Sequence, residues 1–390
     1  MNPIHSILSA YTHDFLGQFL NKSMLVEYVE PVPTVSKVLN VMSLTFTYKA
    51  AIRGYESIVI QRVWNGISRF TMNINSEVTN ANLIEADDIV WFDNEYNKAF
   101  IIETIEETLN GDSIDYEVIG TSLATLVKDF ITVPAGDYDA VTGTPEFVVR
   151  QWVTNNCIAR PQYPIVLGAL KGFGASITEQ TRYKNLAEEI SRVLVTYDLG
   201  YEVVLDLVNS QFVFNVLQGV SRISTQSVNA RILFGLKYGN ISEYRKIQDK
   251  SKERNYAYVG GQGDLALRTI VIVDSSTTRK KEVFIDARDT DITAELTERG
   301  EQSLSESAEV NGFEFEALER QFKYEIDYDL GDFVTVVINS NNFQHLQIRE
   351  ITEYYVKNAI RTEMKFGQPE TTLTNVITAM NSKIVKLQTV

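Results

Sequence analysis

Apolar and polar residues exchange at every second position over residues 38–120, where Phe70, Met72 and Ile74 alternate with Thr71 and Asn73. A period of two puts one set of side chains on one face of an extended chain, so this region predicts strands. Ile89-Val90-Trp91-Phe92 follows the acidic pair Asp87-Asp88, and residues 100–105 and 116–119 continue the series. Asn94-Glu95 and Asn110-Gly111-Asp112 supply turns. The expected unit is a compact antiparallel β domain, a small barrel, over residues 38–135.

Ahead of it the spacing is three to four. Ile4, Leu8, Tyr11, Phe15 and Phe19 fall on one face of a helix that Asn2 caps and Pro3 starts. Pro31 and Pro33 stop helix and make the rest of 1–37 a connector. The five apolar residues have two readings: cover for the protein's own core, or a docking face for a partner.

Residues 121–130 predict a short helix and residues 135–139 a loop. Thr144 caps a second helix with Pro145 in its first turn and Trp152 and Val153 facing inward. Asn185 and Glu188 form a capping-box pair for a third, whose buried stripe is Leu186, Ile190, Val193, Leu194 and Tyr197, with Gly200 expected to end it. Val203-Val204-Leu205 and Phe212-Val213-Phe214 then predict a hairpin around Asn209-Ser210. Residues 136–238 thus read as a helix-plus-hairpin α+β module. Strands resume in 239–370, at 256–259, 268–273, 282–285, 313–315, 333–338, 346–355 and 361–366. A helix started by Asp289-Thr290-Asp291 is inserted at 292–308, and 371–390 reads as a terminal helix. The fold class is α+β and mainly β, with two similar small antiparallel barrels flanking the helical module.

The word "similar" rests on an internal echo. Ala86-Asp87-Asp88-Ile89-Val90, Phe100-Ile101-Ile102-Glu103-Thr104-Ile105-Glu106 and Glu117-Val118-Ile119-Gly120 form one series. Leu330-Gly331-Asp332-Phe333-Val334, Leu346-Gln347-Ile348-Arg349-Glu350-Ile351-Thr352 and Glu363-Met364-Lys365-Phe366-Gly367 form the other. Only the loops differ in length.

Composition narrows the chemistry. The 390 residues include 36 basic and 51 acidic side chains, a net charge of −15, which excludes a basic footprint for reading duplex DNA. Single Cys157 excludes an intrachain disulfide, and three histidines, His5, His13 and His345, make a His-rich zinc site a poor expectation. No apolar run reaches the roughly 20 residues of a membrane span. The first 25 residues lack a signal-peptide pattern, because His13-Asp14 interrupts them, so synthesis and folding in a cytoplasm are expected.

Gly260-Gly261-Gln262-Gly263-Asp264 lacks the Lys-Ser/Thr of a phosphate loop and reads as a turn or bulge. Asp286, Asp289 and Asp291 lack the glycine and glutamate of a calcium loop and suit a helix start instead. Asp137 and Asp139 read as a solvated loop. The basic residues Arg245, Lys246, Lys250, Lys252 and Arg254 alternate with acids, as on a solvated face. No catalytic, cofactor or metal residue emerges, and neither an enzyme nor a cofactor is expected.

Residues 255–263, Asn255-Tyr256-Ala257-Tyr258-Val259-Gly260-Gly261-Gln262-Gly263, are followed by Phe284-Ile285-Asp286-Ala287-Arg288-Asp289. Glu295-Leu296 and Arg299-Gly300 follow on a helix, then Tyr328-Asp329-Leu330-Gly331-Asp332-Phe333-Val334. Together with Gly66-Ile67-Ser68-Arg69-Phe70-Thr71-Met72 and Ile102-Glu103, this order resembles the tail-hub proteins of long-tailed bacteriophages of Gram-positive hosts. The likeness spans residues 40–370. It implies a virion protein at the tail tip: a homotrimer bound to a hexameric distal tail protein or tube ring, to the tape measure protein, and to a fibre or receptor-binding spike. The genome would pass through without specific binding, and no stable membrane insertion is implied. Many relatives continue into a fibre, peptidase or lysozyme-like domain beyond the equivalent of Val390, so no wall-degrading activity is carried over. Two other readings stay open. One is a cell-wall hydrolase using paired carboxylates, which predicts a deep acidic pocket. The other is a carbohydrate-binding module, which predicts an exposed aromatic platform.

Overall fold

The period-two segments form strands, as a computed structural model describing residues 37–277, 279–307, 310–318, 321–339, 342–356 and 359–366 shows. The helices expected at 1–37 and 371–390 lie outside the described residues, and with them Ile4, Leu8, Tyr11, Phe15 and Phe19.

The chain opens with β1 (Leu39–Met42), β2 (Tyr48–Ile52), β3 (Ser57–Val63), β4 (Arg69–Asn75), β5 (Ile89–Phe92), β6 (Ala99–Asn110) and β7 (Ser113–Ser122). The middle carries α1 (Thr125–Lys128), β8 (Asp139–Gly143), α2 (Pro145–Val153), β9 (Ile165–Leu167), β10 (Ile177–Thr181), α3 (Leu186–Thr196), β11 (Leu199–Asp206) and β12 (Gln211–Gln218). Then come β13 (Leu233–Phe234), β14 (Ile241–Asp249), β15 (Tyr256–Gly260), β16 (Ile270–Asp274), β17 (Glu282–Asp286) and α4 (Thr293–Glu306). The described chain closes with β18 (Val310–Ala317), β19 (Phe333–Asn339), β20 (Asn342–Val356) and β21 (Ala359–Phe366).

Thirteen strands share one sheet. Within it, two sets of five strands have the same order and direction. The first set runs β3-β4-β7-β6-β5 and the second β14-β18-β21-β20-β19, with every neighbour antiparallel. The mainly β, α+β character is as the sequence predicts. Barrel closure is not observed: the described pairs leave the sheet open, with β14 at one end and β2 at the other. The reason is that β3 bonds to β20 of the other set, from Ser57–Val356 to Val63–Glu350, and so joins the two sets.

β5 shows why part of the pattern is continuously apolar instead of alternating. Ile89 and Trp91 face a core shared with Trp152, Leu194 and Phe212 of the middle module. Val90 and Phe92 face the opposite core with Phe70 and Ile102. A strand covered on both faces has no polar side to show. The middle module builds its core from α2, α3 and the β11–β12 hairpin, with β9 parallel to β12. Thr144 and Asn185 cap α2 and α3 as their sequence positions predict. Gly200 does not end α3. The helix stops at Thr196, and Asp198 makes the left-handed turn (φ 55°). Gly200 instead belongs to β11, where a Cβ would lie 2.5 Å from the Trp64 ring.

Between β14 and β18 the second set carries an insertion. β15 pairs with β16 and β17, and α4 packs on one face through Leu296 and Leu304 against Ala257 and Val259.

Candidate functional site

The repeat is preserved at the level of single hydrogen bonds. The Asp87 amide donates to the Ile102 carbonyl and the Ile102 amide returns to Asp88, both at 2.8 Å. Gly331, Ile348 and Asp332 reproduce that pair at 2.8 and 2.9 Å. The Asp88 carboxylate accepts from the Glu85 amide at 2.9 Å and pairs with Lys49 at 2.8 Å. The Asp332 carboxylate accepts from the Asp329 amide at 3.1 Å and pairs with Arg222 at 2.7 Å. Both aspartates are buried. A β-bulge interrupts β6–β7 between Ile102 and Thr104, and another interrupts β20–β21 between Ile348 and Glu350. A bulge re-aims the residue it leaves over. Here that residue is Glu103, which accepts from Thr121 at 2.8 Å, and Arg349, which donates to Asn65 at 2.7 Å.

The seam between the two sets is charged, with Lys98 and Glu353 buried and Glu325 at its open rim. Lys98, 1% exposed, holds Glu353 and Glu325 at 2.9 Å and Glu95 at 3.3 Å. Burial pulls the Lys98 pKa down, but the three carboxylates outweigh it and hold the group above its ordinary value. Arg62 on β3 donates to the Tyr324 hydroxyl at 2.6 Å and reaches Glu325 at 3.4 Å. The Tyr355 hydroxyl donates to Glu353 at 2.6 Å, and burial followed by the charge on Glu353 pushes its pKa far up. Lys37 pairs with Glu95 and lies 5.0 Å from the centre of the Tyr355 ring. These acids are bound to the protein's own cations.

Trp64 pins the seam at its other end. Its amide continues the β3–β20 pairing by donating to the Arg349 carbonyl at 3.0 Å, and its indole N–H donates to the Asp198 carbonyl at 3.2 Å. Gly331 (φ +91°) brings its backbone against the opposite side, where a Cβ would lie 2.3 Å from the ring. One side chain thus touches both strand sets and the middle module. Two small cavities flank it. One of about 190 Å³ is lined by Arg62, Glu202 and Asp329, and one of about 350 Å³ by Arg222, Glu325 and Asp332.

The other sequence candidates are structural. Arg268 donates to the Gly260 and Gly261 carbonyls at 2.8 and 3.0 Å, so the glycine-rich segment is a turn wrapped on an arginine. Asp286 pairs with Arg268 and Arg288, and Asp289 pairs with Arg299. Among the described residues no cluster of three or more His, Cys, Asp or Glu side chains could hold a metal. Asp139 accepts from Asn155 at 3.0 Å, and Asp137 is exposed in its loop. His345 is exposed beside Thr335. Burial pushes the Cys157 thiol up to about 12, which leaves it inert. No helix among the described residues is long and apolar enough to cross a membrane.

Sequence reasoning missed the seam. Its residues are far apart in the chain, and only the Asp88–Asp332 echo pointed toward it.

The fold is shared with solved phage tail proteins at low identity. The tail protein from Neisseria meningitidis MC58 is 12% identical with a TM-score of 0.51, over 86% of this chain and 97% of that one. The 43 kDa tail protein of prophage MuSo2 from Shewanella oneidensis is 12% identical with a TM-score of 0.51, over 85% and 98%. Prophage tail protein gp18 from Listeria monocytogenes EGD-e is 11% identical with a TM-score of 0.51, over 90% and 100%. No curated protein matches the chain by sequence. A family description, Siphovirus ReqiPepy6 Gp37-like protein, matches residues 38–368, and the chain belongs to that family.

Proposed function

We propose that the chain is a structural hub at the distal end of a siphophage tail tube. Three copies form a ring that matches a six-fold tail ring on one side and three-fold fibres or a spike on the other. The observation that carries this reading is the repeat. Each chain holds two five-strand sets with the same order, the same bulge and the same buried aspartate turn. Three chains then offer six near-equivalent surfaces, and repeated interfaces of one kind close into rings. In this reading 38–135 and 239–370 are the ring-forming units, and 136–238 is the module that braces them. The net charge of −15 suits a wall past which a genome slides without sticking.

The test is size-exclusion chromatography with light scattering, followed by negative-stain imaging. Three times the chain mass and a three-fold particle with six lobes are expected. A monomer at micromolar concentration rejects the proposal.

A further inference from the structure

The repeat leaves one strand pairing unfulfilled inside the chain. β3 and β14 are equivalent, and so are β6 and β20. β3 pairs with β20, but β14 ends the sheet, with β18 as its neighbour among the described strands. Residues 104–110 of β6 pair with β7 on one side and with no described strand on the other. The same stretch of β20, residues 350–356, lies between β21 and β3.

Exposure follows this difference. Tyr355 is 4% exposed under β3, whereas its equivalent Leu109 is 73% exposed. Glu353 is buried, whereas its equivalent Glu107 is exposed. On the other edge Val59 and Ile60 of β3 are fully buried, whereas their equivalents Arg245 and Lys246 are exposed.

We infer that β14 of one chain pairs antiparallel with residues 104–110 of a second copy, in the register that β3 and β20 use within the chain. The register follows from the shared pairs. Ile58 lies opposite Met72 and Met72 opposite Val118, while Tyr244 lies opposite Phe315 and Phe315 opposite Met364. Ile105 pairs with Val118 as Ile351 pairs with Met364. The in-chain pairs Glu353–Ile60 and Tyr354–Val59 therefore become Glu107–Lys246 and Thr108–Arg245 between chains. Glu106 falls diagonal to Arg245 on the same face. Glu107 thus meets Lys246 directly, and opposite charges across strands are favourable. Glu106 has both Arg245 and Asp249 on its diagonals, and Arg245 also pairs with Glu314 of its own chain at 3.4 Å. Charged edges also guard a sheet against indiscriminate pairing. Guarding alone does not require opposite signs at positions that the repeat places in register. The interface is head to tail, so it closes only as a ring.

This inference rests on the trimeric reading, and the test separates the two. Glu107→Cys with Lys246→Cys should give covalent trimers on a non-reducing gel, since a disulfide needs Cα atoms within about 7 Å. The off-register pair Glu107→Cys with Gln248→Cys should give at least tenfold less. Buried Cys157 does not compete. A trimer by light scattering that cross-links in neither pair, or equally in both, overturns the strand register and leaves the trimer standing. A monomer overturns both. Independently, Glu106→Lys with Glu107→Lys should weaken assembly on the order of tenfold. Adding Arg245→Glu with Lys246→Glu should restore it, and failure of that rescue counts against the register.

Discussion

Lys98 shows how a single side chain holds the seam. A buried charge persists when it is paired, and removing one partner leaves the others stranded. Lys98→Met should therefore cost about 3–5 kcal/mol, read by denaturant unfolding, because buried Glu353 would lose its cation, while Glu325 keeps Arg62 at 3.4 Å. The pH dependence has a definite sign. The folded pKa lies above the ordinary 10.5, so the contribution is complete below 10.5 and is lost as pH rises through the folded value. The gap between wild type and Lys98→Met should thus be constant at neutral pH and narrow only at higher alkalinity. Gly331 makes a complementary point about close approach. Its φ of +91° and the Trp64 ring leave no place for a Cβ. Gly331→Ala should cost at least about 2 kcal/mol, measured by thermal unfolding together with the fluorescence of Trp64. Neither residue is distinctive in sequence. A lysine after a turn and a glycine before an aspartate are ordinary, and their roles appear only when β3 meets β20.

At the scale of elements, the turn before β5 and the turn before β19 are the same device. Each aspartate accepts the amide three residues before it and neutralises one cation. Asp88→Ala and Asp332→Ala should each cost about 1–3 kcal/mol, since each leaves buried donors unpaired. Asp332 also accepts the Val220 amide at 2.8 Å, so its loss should exceed that of Asp88 by about 1 kcal/mol in equilibrium unfolding. This device was legible in the sequence, because the aspartates and the three strands after them are contiguous enough to align. So were the caps at Thr144 and Asn185, where local chemistry decides. The equivalence of β14–β18 with β3–β4 was not legible. In the first set a short turn links the two strands, while in the second the three strands β15–β17 and α4 intervene. Barrel closure was misread for a related reason. Period two reports which face of a strand is buried, not which strand it pairs with, and β3 pairs across the repeat.

For the whole molecule, the joined sheet and the insertion should differ in stability. The sheet is covered on both faces along β5 and residues 99–102 of β6, and its two sets are joined at the seam by Lys98, Arg62 and Trp64. Opening any one of these strands exposes parts of two cores. The insertion has a small core of Ala257, Val259, Ala287, Leu296 and Leu304 on one face of its sheet. Its other face presents Ile270, Ile272 and Phe284 to solvent, with Phe284 54% exposed. Local opening costs little where few apolar contacts must break. Amides of β15, β16 and α4 should therefore exchange hydrogen at least tenfold faster than those of β3, β4 and β20, whose exchange should follow global unfolding. Native-state hydrogen exchange followed by mass spectrometry reads both sets in one experiment. If β15 stays protected as long as β3, the insertion is fastened to the sheet by more than its own core.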